Sequence, residues 1–147
     1  VRTASKAILP PIGDMGRPMT GLLLFTNDVE LHKKLSQSTS ISMVYQVTLE
    51  QSVTHEMIEQ LKNGQMVFEK HVKINSISHL EGKSKNEIGI EVHSLSPGVL
   101  IKLFEAVGLK VIHLDRVTFG GLTKKDLPRG IWRKLSSKEV GFLKMLP

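Results

Sequence analysis

The chain has 147 residues, 40% of them hydrophobic and 23% charged, which suits one soluble domain with one core. It contains no cysteine, so disulfides and thiolate metal sites are excluded, and no apolar run approaches membrane-spanning length. The net charge of +6 is uneven: residues 1–100 balance 10 Lys/Arg against 10 Asp/Glu, whereas residues 101–147 hold 10 against 4 and carry the whole excess. A basic segment on a neutral body is a weak nucleic-acid signal, and a lysine-rich solvated surface explains it equally well. The N-terminus lacks signal-peptide character, so the expected location is cytoplasmic.

Val1 to Leu9 has no clear period. Pro11 to Thr20 is a loop with Gly13 and Gly16, and such glycines allow close backbone approach to a ligand. Gly21 to Phe25 is a short apolar run with the length of a buried strand. Asn27 is then expected to cap a helix to about Ser36, with Glu30 completing a capping box. Met43 to Leu49 alternates as a strand. It contains Tyr45, the single tyrosine, which on its own residues reads as a core ring with a satisfied hydroxyl.

Thr54 is expected to cap a second helix, with Glu56 in its first turn, an apolar stripe of Met57, Ile58 and Leu61, and Gly64 at its end. Met66–Glu69, His71–His79 and Ile88–His93 read as strands. The six histidines, at 32, 55, 71, 79, 93 and 113, lack metal-site spacing, so no metal is expected. After the loop Ser94–Gly98, Pro97 suits the first turn of a helix that ends at Gly108. Lys110–Phe119 is a long strand, followed by a Gly120-Gly121 turn. Pro128-Arg129-Gly130 has turn chemistry. Ile131–Leu135 reads as a returning strand. Ser136 and Glu139 form a capping box for a last helix, Lys138–Met145. The fold class is therefore α+β, a largely antiparallel mixed sheet with flanking helices.

The stretch Pro11–Asp28, PIGDMGRPMTGLLLFTND, resembles a signature of bacterial rRNA pseudouridine synthases of the small-subunit type, roughly P-V-G-R-L-D-x-x-T-x-G-L-L-L-x-T-N-D. Pro11, Gly13, Gly21, Leu22, Leu23, Leu24, Thr26, Asn27 and Asp28 match. The resemblance continues through Tyr45 and FEAVGLKVIHLDRVTFGGLTKKDLPRGIW. It implies a bent mixed sheet with an RNA cleft across it, rRNA as partner, and no metal or cofactor. It also implies that residues 1–147 form one pseudouridine synthase-like catalytic domain, monomeric, without the family's N-terminal strand or small S4-like RNA-binding domain. The resemblance places Tyr45 in the active site, stacking near the target base.

The departures fall on the chemistry. Gly16 stands at the family's catalytic Asp, and Asp14 at the Arg two residues before it. An arginine-rich segment, roughly H-S-G-R-N-R-x-V-R-R-x-F-E, keeps only His93, Ser94, Phe104 and Glu105, with Lys102 basic. Leu95, Ser96, Pro97, Gly98 and Ile101 replace the rest. The sequence therefore suggests an RNA-binding domain with impaired catalysis, Asp14 being the fallback nucleophile. An active enzyme and a protein-interaction module on the same fold are the alternatives. Arg17, Lys102, Arg116, Lys124, Lys125, Arg129 and Arg133 are the expected phosphate contacts.

Overall fold

The computed structural model describes residues 11, 12, 19–38, 40–80, 82, 84, 86–125, 127 and 131–146. The expectations on Asp14, Gly16, Arg17, Arg129, the Gly13–Pro18 loop and the Pro128–Gly130 turn lie outside these residues. Among the described residues the order is β1 (Met19–Gly21), α1 (Val29–Gln37), β2 (Ser42–Leu49), α2 (His55–Asn63), β3 (Gln65–Val67), β4 (Lys70–Val72), β5 (Ser76–His79), β6 (Glu87–His93), α3 (Pro97–Ala106), β7 (Val111–Phe119), β8 (Leu122–Thr123) and α4 (Ser137–Met145).

Strands β1-β7-β2-β6-β5 form one sheet in that order, with β8 on β7, and β3 and β4 form a separate hairpin. Only β1 runs parallel to its neighbour within the main sheet. The mixed, mainly antiparallel α+β architecture expected from the sequence is thus present. The alternation in β2 turns Met43, Tyr45, Val47 and Leu49 into the core, where Ile88, Ile90 and Val92 of β6 join them. α3 adds Leu100, Leu103 and Phe104, and α2 adds Leu61. Fully burying each such side chain contributes about 1.5–3 kcal/mol.

The opposite face carries Thr20, Gln46, Gly89 and Asp115 in one row and Thr48, Glu87 and His113 in the next. It is polar and partly open, as one face of an antiparallel sheet commonly is.

Several local expectations require correction. The apolar run Gly21–Phe25 is not a buried strand: β1 ends at Gly21, and Phe25 forms an isolated bridge with Pro11. The cap of α1 is Asp28, whose Oδ1 accepts from Leu31 N at 3.1 Å, so the helix starts after the expected Asn27–Glu30 box. The proposed strand His71–His79 divides into β4 and β5. Ile131–Leu135 pairs with no strand and lies exposed apart from Leu135. The caps at Thr54 and Ser136 form as expected, and Ser96 caps α3 with Pro97 in its first turn.

Candidate functional site

Two features stand out among the described residues. The first is a buried centre between β2, β7 and the segment after β1. A bulge between Val44 and Tyr45 shifts the β2–β7 register and sets Tyr45 opposite Arg116. Tyr45 is 0% exposed, and its hydroxyl donates to the Leu95 carbonyl at 2.9 Å. Burial pushes this phenol above its ordinary pKa, while the nearby Arg116 guanidinium works in the opposite direction. The ring is packed in the core with its hydroxyl satisfied, as its own residues suggested.

Arg116 lies in the same buried centre. It is 3% exposed, and its Nε and Nη2 donate to the Leu22 carbonyl at 2.9 and 2.7 Å. The guanidinium lies 5.1 Å from the Phe119 ring centroid, a cation–π contact. No carboxylate among the described residues forms an ion pair with it. A side chain buried in this way clamps β1 to β7 and is not a surface phosphate contact. The periodicity held a usable signal, because Arg116 is in phase with buried Leu114.

The β6–α3 loop, where the resemblance places arginines, is tied to the same centre. Ser94 N donates to Ile41 O at 2.7 Å, and Ile41 N donates back to Ser94 Oγ at 2.8 Å. Ser94 has φ 51°, a conformation non-glycine residues adopt at a cost, and this reciprocal pair holds it there.

The second feature is a cleft of about 870 Å³ at the β1–β7 edge of the polar face. Thr20–Asp28, β7, β8, the extended 131–135 segment and α4 contribute its walls. On the polar wall, Thr20 Oγ1 donates to Asp115 Oδ1 at 3.2 Å and lies 3.1 Å from His113 Nε2. With the hydroxyl proton committed to Asp115, His113 is the donor in the second bond. Lys124 Nζ donates to Asp115 Oδ2 at 2.5 Å, so both carboxylate oxygens are occupied. The cluster orients groups but leaves Asp115 no free oxygen to act as a base. Phe25, Ile131 and Trp132 also line the cleft and remain exposed.

Of the expected phosphate contacts, Lys124 and Arg133 line this cleft, and exposed Lys125 follows directly on Lys124. Lys102 lies on α3, paired with Glu105 at 3.4 Å, and does not line the cleft. Thr20, His113, Asp115, Phe25 and Trp132 were missed from sequence. The i, i+2 spacing of His113 and Asp115 on a strand was the available signal for two of them.

Arg133 also holds the start of α4. Its Nη1 and Nη2 reach both Glu139 oxygens at 2.8 and 2.7 Å, and Glu139 accepts from Ser136 N at 2.9 Å. The Arg133 guanidinium first, then the Ser136 N–H, hold the Glu139 carboxyl down to about 2 from its ordinary 4.5. A depressed carboxyl stabilises the fold above its unfolded pKa and loses that contribution as pH falls through the folded value. Acid unfolding of α4 is therefore expected to develop between about 4.5 and about 2. Glu139→Gln should melt at the lower temperature at pH 5 and converge with the parent at pH 2. Parallel melting curves from pH 5 to 2 would contradict the assignment. The pair is partly exposed, so the difference should be small.

The fold now defines a class. It is the pseudouridine synthase fold: a solved pseudouridylate synthase superposes with a TM-score of 0.77 at 22% identity, covering 92% of this chain and 59% of that one. The archaeal box H/ACA sRNP Nop10-Cbf5 complex gives 0.54 at 14% identity, covering 82% of this chain and 41% of that one. No protein-family model matches the chain.

Among curated proteins, ribosomal large subunit pseudouridine synthase B of Yersinia pestis is 30% identical over 138 residues, 92% of this chain and 43% of that protein. The protein of the same name from Pseudomonas aeruginosa is 32% identical over 136 residues, 90% of this chain and 35% of that protein. An uncharacterized RNA pseudouridine synthase of Aquifex aeolicus is 32% identical over 128 residues, 86% of this chain and 52% of that protein. The chain thus spans about half or less of the length of these relatives. Two of the three carry large-subunit names, and none carries the small-subunit name expected from the motif. No helix among the described residues is long and apolar enough to cross a membrane.

Proposed function

We propose that this chain is an rRNA-binding, pseudouridine synthase-like domain whose catalysis is impaired. The carrying observation is the contrast between a retained scaffold and altered chemistry. The fold and the Gly21–Asp28 stretch remain, while Gly16 stands at the position of the family's catalytic Asp. That Asp must stay ionised beside a cation in a sheltered site, and here the neighbouring family Arg position holds Asp14. Ser96 and Gly98 likewise stand where arginines would grip phosphate.

Asp14 is a poor substitute nucleophile. Two residues of extended chain preserve side-chain direction but move it by about 7 Å. A misplacement of about 1 Å already costs about a hundredfold. The proposed phosphate contacts are Arg17, Lys102, Lys124, Lys125, Arg129 and Arg133. The proposal describes a cytoplasmic monomer that uses neither metal nor cofactor.

Binding to an unmodified rRNA fragment, followed by pseudouridine mapping, tests both parts. Neutralising about four phosphates of a single strand gives a log–log salt slope of about −2.8, or a loss of roughly fiftyfold between 50 and 200 mM salt. Affinity should fall by that order, and the mapped RNA should contain no new pseudouridine. Robust modification would refute the impairment. Absent or salt-independent binding would refute the RNA reading and point to a protein partner.

A further inference from the structure

We propose that Trp132, in a cleft that Phe25 also lines, is a stacking platform for an unpaired base of single-stranded RNA, with Lys134 beside it as a phosphate contact. This deepens the RNA-binding reading and rests on it. Trp132 is 46% exposed, Ile131 59% and Phe25 36%, and all three line the same cleft. Single exposed apolar residues are ordinary, whereas several converging on one concave surface mark a binding site. Two of these are aromatic, and every nucleobase has a π-face to stack on them.

The surrounding charge favours a nucleic acid. Lys124, Arg133 and Lys134 line the cleft against Asp28 and Asp115. Both acids are already matched: Asp115 pairs with Lys124 at 2.5 Å, and Asp28 lies 3.9 Å from Lys144. Lys134 enters none of the ion pairs among the described residues. Arg133 is likewise matched, with both Nη atoms on Glu139. Lys134 is therefore the lining cation outside these ion pairs, in the C-terminal third of the chain, residues 101–147, that carries the entire net charge. Thr20 and His113 line the same cleft and present polar groups that a base edge or ribose hydroxyl can meet. At about 870 Å³ the cleft has room for a nucleotide.

Trp132 is the only tryptophan in the chain, so intrinsic fluorescence reports on this position alone. The test titrates the protein with a single-stranded decauridylate carrying a dye, following dye anisotropy and, with unlabelled oligonucleotide, tryptophan emission. Emission should be quenched along the same isotherm as the anisotropy. Trp132→Ala should weaken binding about tenfold, within the range that base–aromatic stacking carries, and Trp132→Phe should keep most of the affinity. A duplex of equal length should compete poorly, since its bases are already stacked.

Unchanged emission during binding, or Trp132→Ala binding as tightly as the parent, would overturn the platform and leave the RNA-binding reading standing. Equal competition by duplex would overturn it in the same way. If neither the decauridylate nor an rRNA fragment binds, the RNA-binding reading fails and the platform fails with it. Trp132→Phe retains an aromatic side chain, so the proposal stays testable if the alanine variant folds poorly.

Discussion

Gly21→Ala is expected to release β1 from the sheet and lower stability by about 3–5 kcal/mol, a large share of the 5–15 kcal/mol that holds a domain folded. Gly21 has φ +109°, and an added Cβ would lie 2.2 Å from Arg116 O and 2.4 Å from Arg116 N. The obstruction is backbone on a paired strand, so no side-chain rotation relieves it. β1 is an edge strand paired only to β7, and moving it breaks the Leu22 N–Arg116 O bond of 2.9 Å. It also withdraws the Leu22 carbonyl from the buried Arg116 guanidinium, and hydrogen bonds to charged groups are each worth about 1.5–3 kcal/mol. For a chain of this size the melting temperature should fall by roughly 10–20 °C. Gly98→Ala is the control: it meets open space in the first turn of α3 and should raise stability by up to about 1 kcal/mol. A Gly21→Ala melt within a few degrees of the parent would refute this account.

Gly16→Asp alone is expected to leave pseudouridine formation at background. It places a carboxylate two residues from Asp14, and like charges in a sheltered site raise one pKa toward a protonated, inactive acid. The change also leaves Ser96, Gly98 and Ile101 at positions where the family presents arginines. Each missing charged partner costs about 1.5–3 kcal/mol, or roughly tenfold to 150-fold. The combination Asp14→Arg, Gly16→Asp, Ser96→Arg and Gly98→Arg should exceed any single change, because neighbouring charged groups act non-additively.

The structure refines that combination. Ser96 Oγ accepts from Val99 N as the cap of α3, so Ser96→Arg should itself cost about 1 kcal/mol. Gly98 is open, so Gly98→Arg should be tolerated. The triple variant that retains Ser96 is therefore expected to be the more stable protein. Tritium release from C5-labelled uridine in rRNA transcripts measures activity. Robust turnover by Gly16→Asp alone would show that Asp14 and the altered loop do not matter.

The elements legible in the sequence were those whose determinants are local. The caps at Thr54 and Ser136, and the alternation of β2 and β6, follow from short-range patterns. The errors arose where partners distant in sequence decide the outcome. β1 exists because β7, more than ninety residues later, offers it a parallel edge, and the apolar run after it only skirts the core. Ile131–Leu135 has strand-like composition, but no strand among the described residues pairs with it. Arg116 read as a surface cation because its charge outweighed its phase with Leu114, and its partner Leu22 O is distant in sequence. The cleft was illegible for the same reason: Phe25 and Trp132, more than a hundred residues apart, come to line one cleft only once the fold assembles. The catalytic departures remained the clearest sequence signal, since they rest on motif positions alone.

The Pro11–Phe25 bridge and the 2.7 Å bond from Ile12 N to Leu24 O tie two short described segments to each other. The buried clamp of Arg116 on Leu22 secures the later of the two to the sheet as well. Ile12, Leu22 and Leu24 thus form one mechanical unit with the sheet. A substitution that frees Leu22 from Arg116 also loosens the strip on which Ile12 and Pro11 are held, so damage at the buried arginine reaches residues more than a hundred positions earlier in the chain.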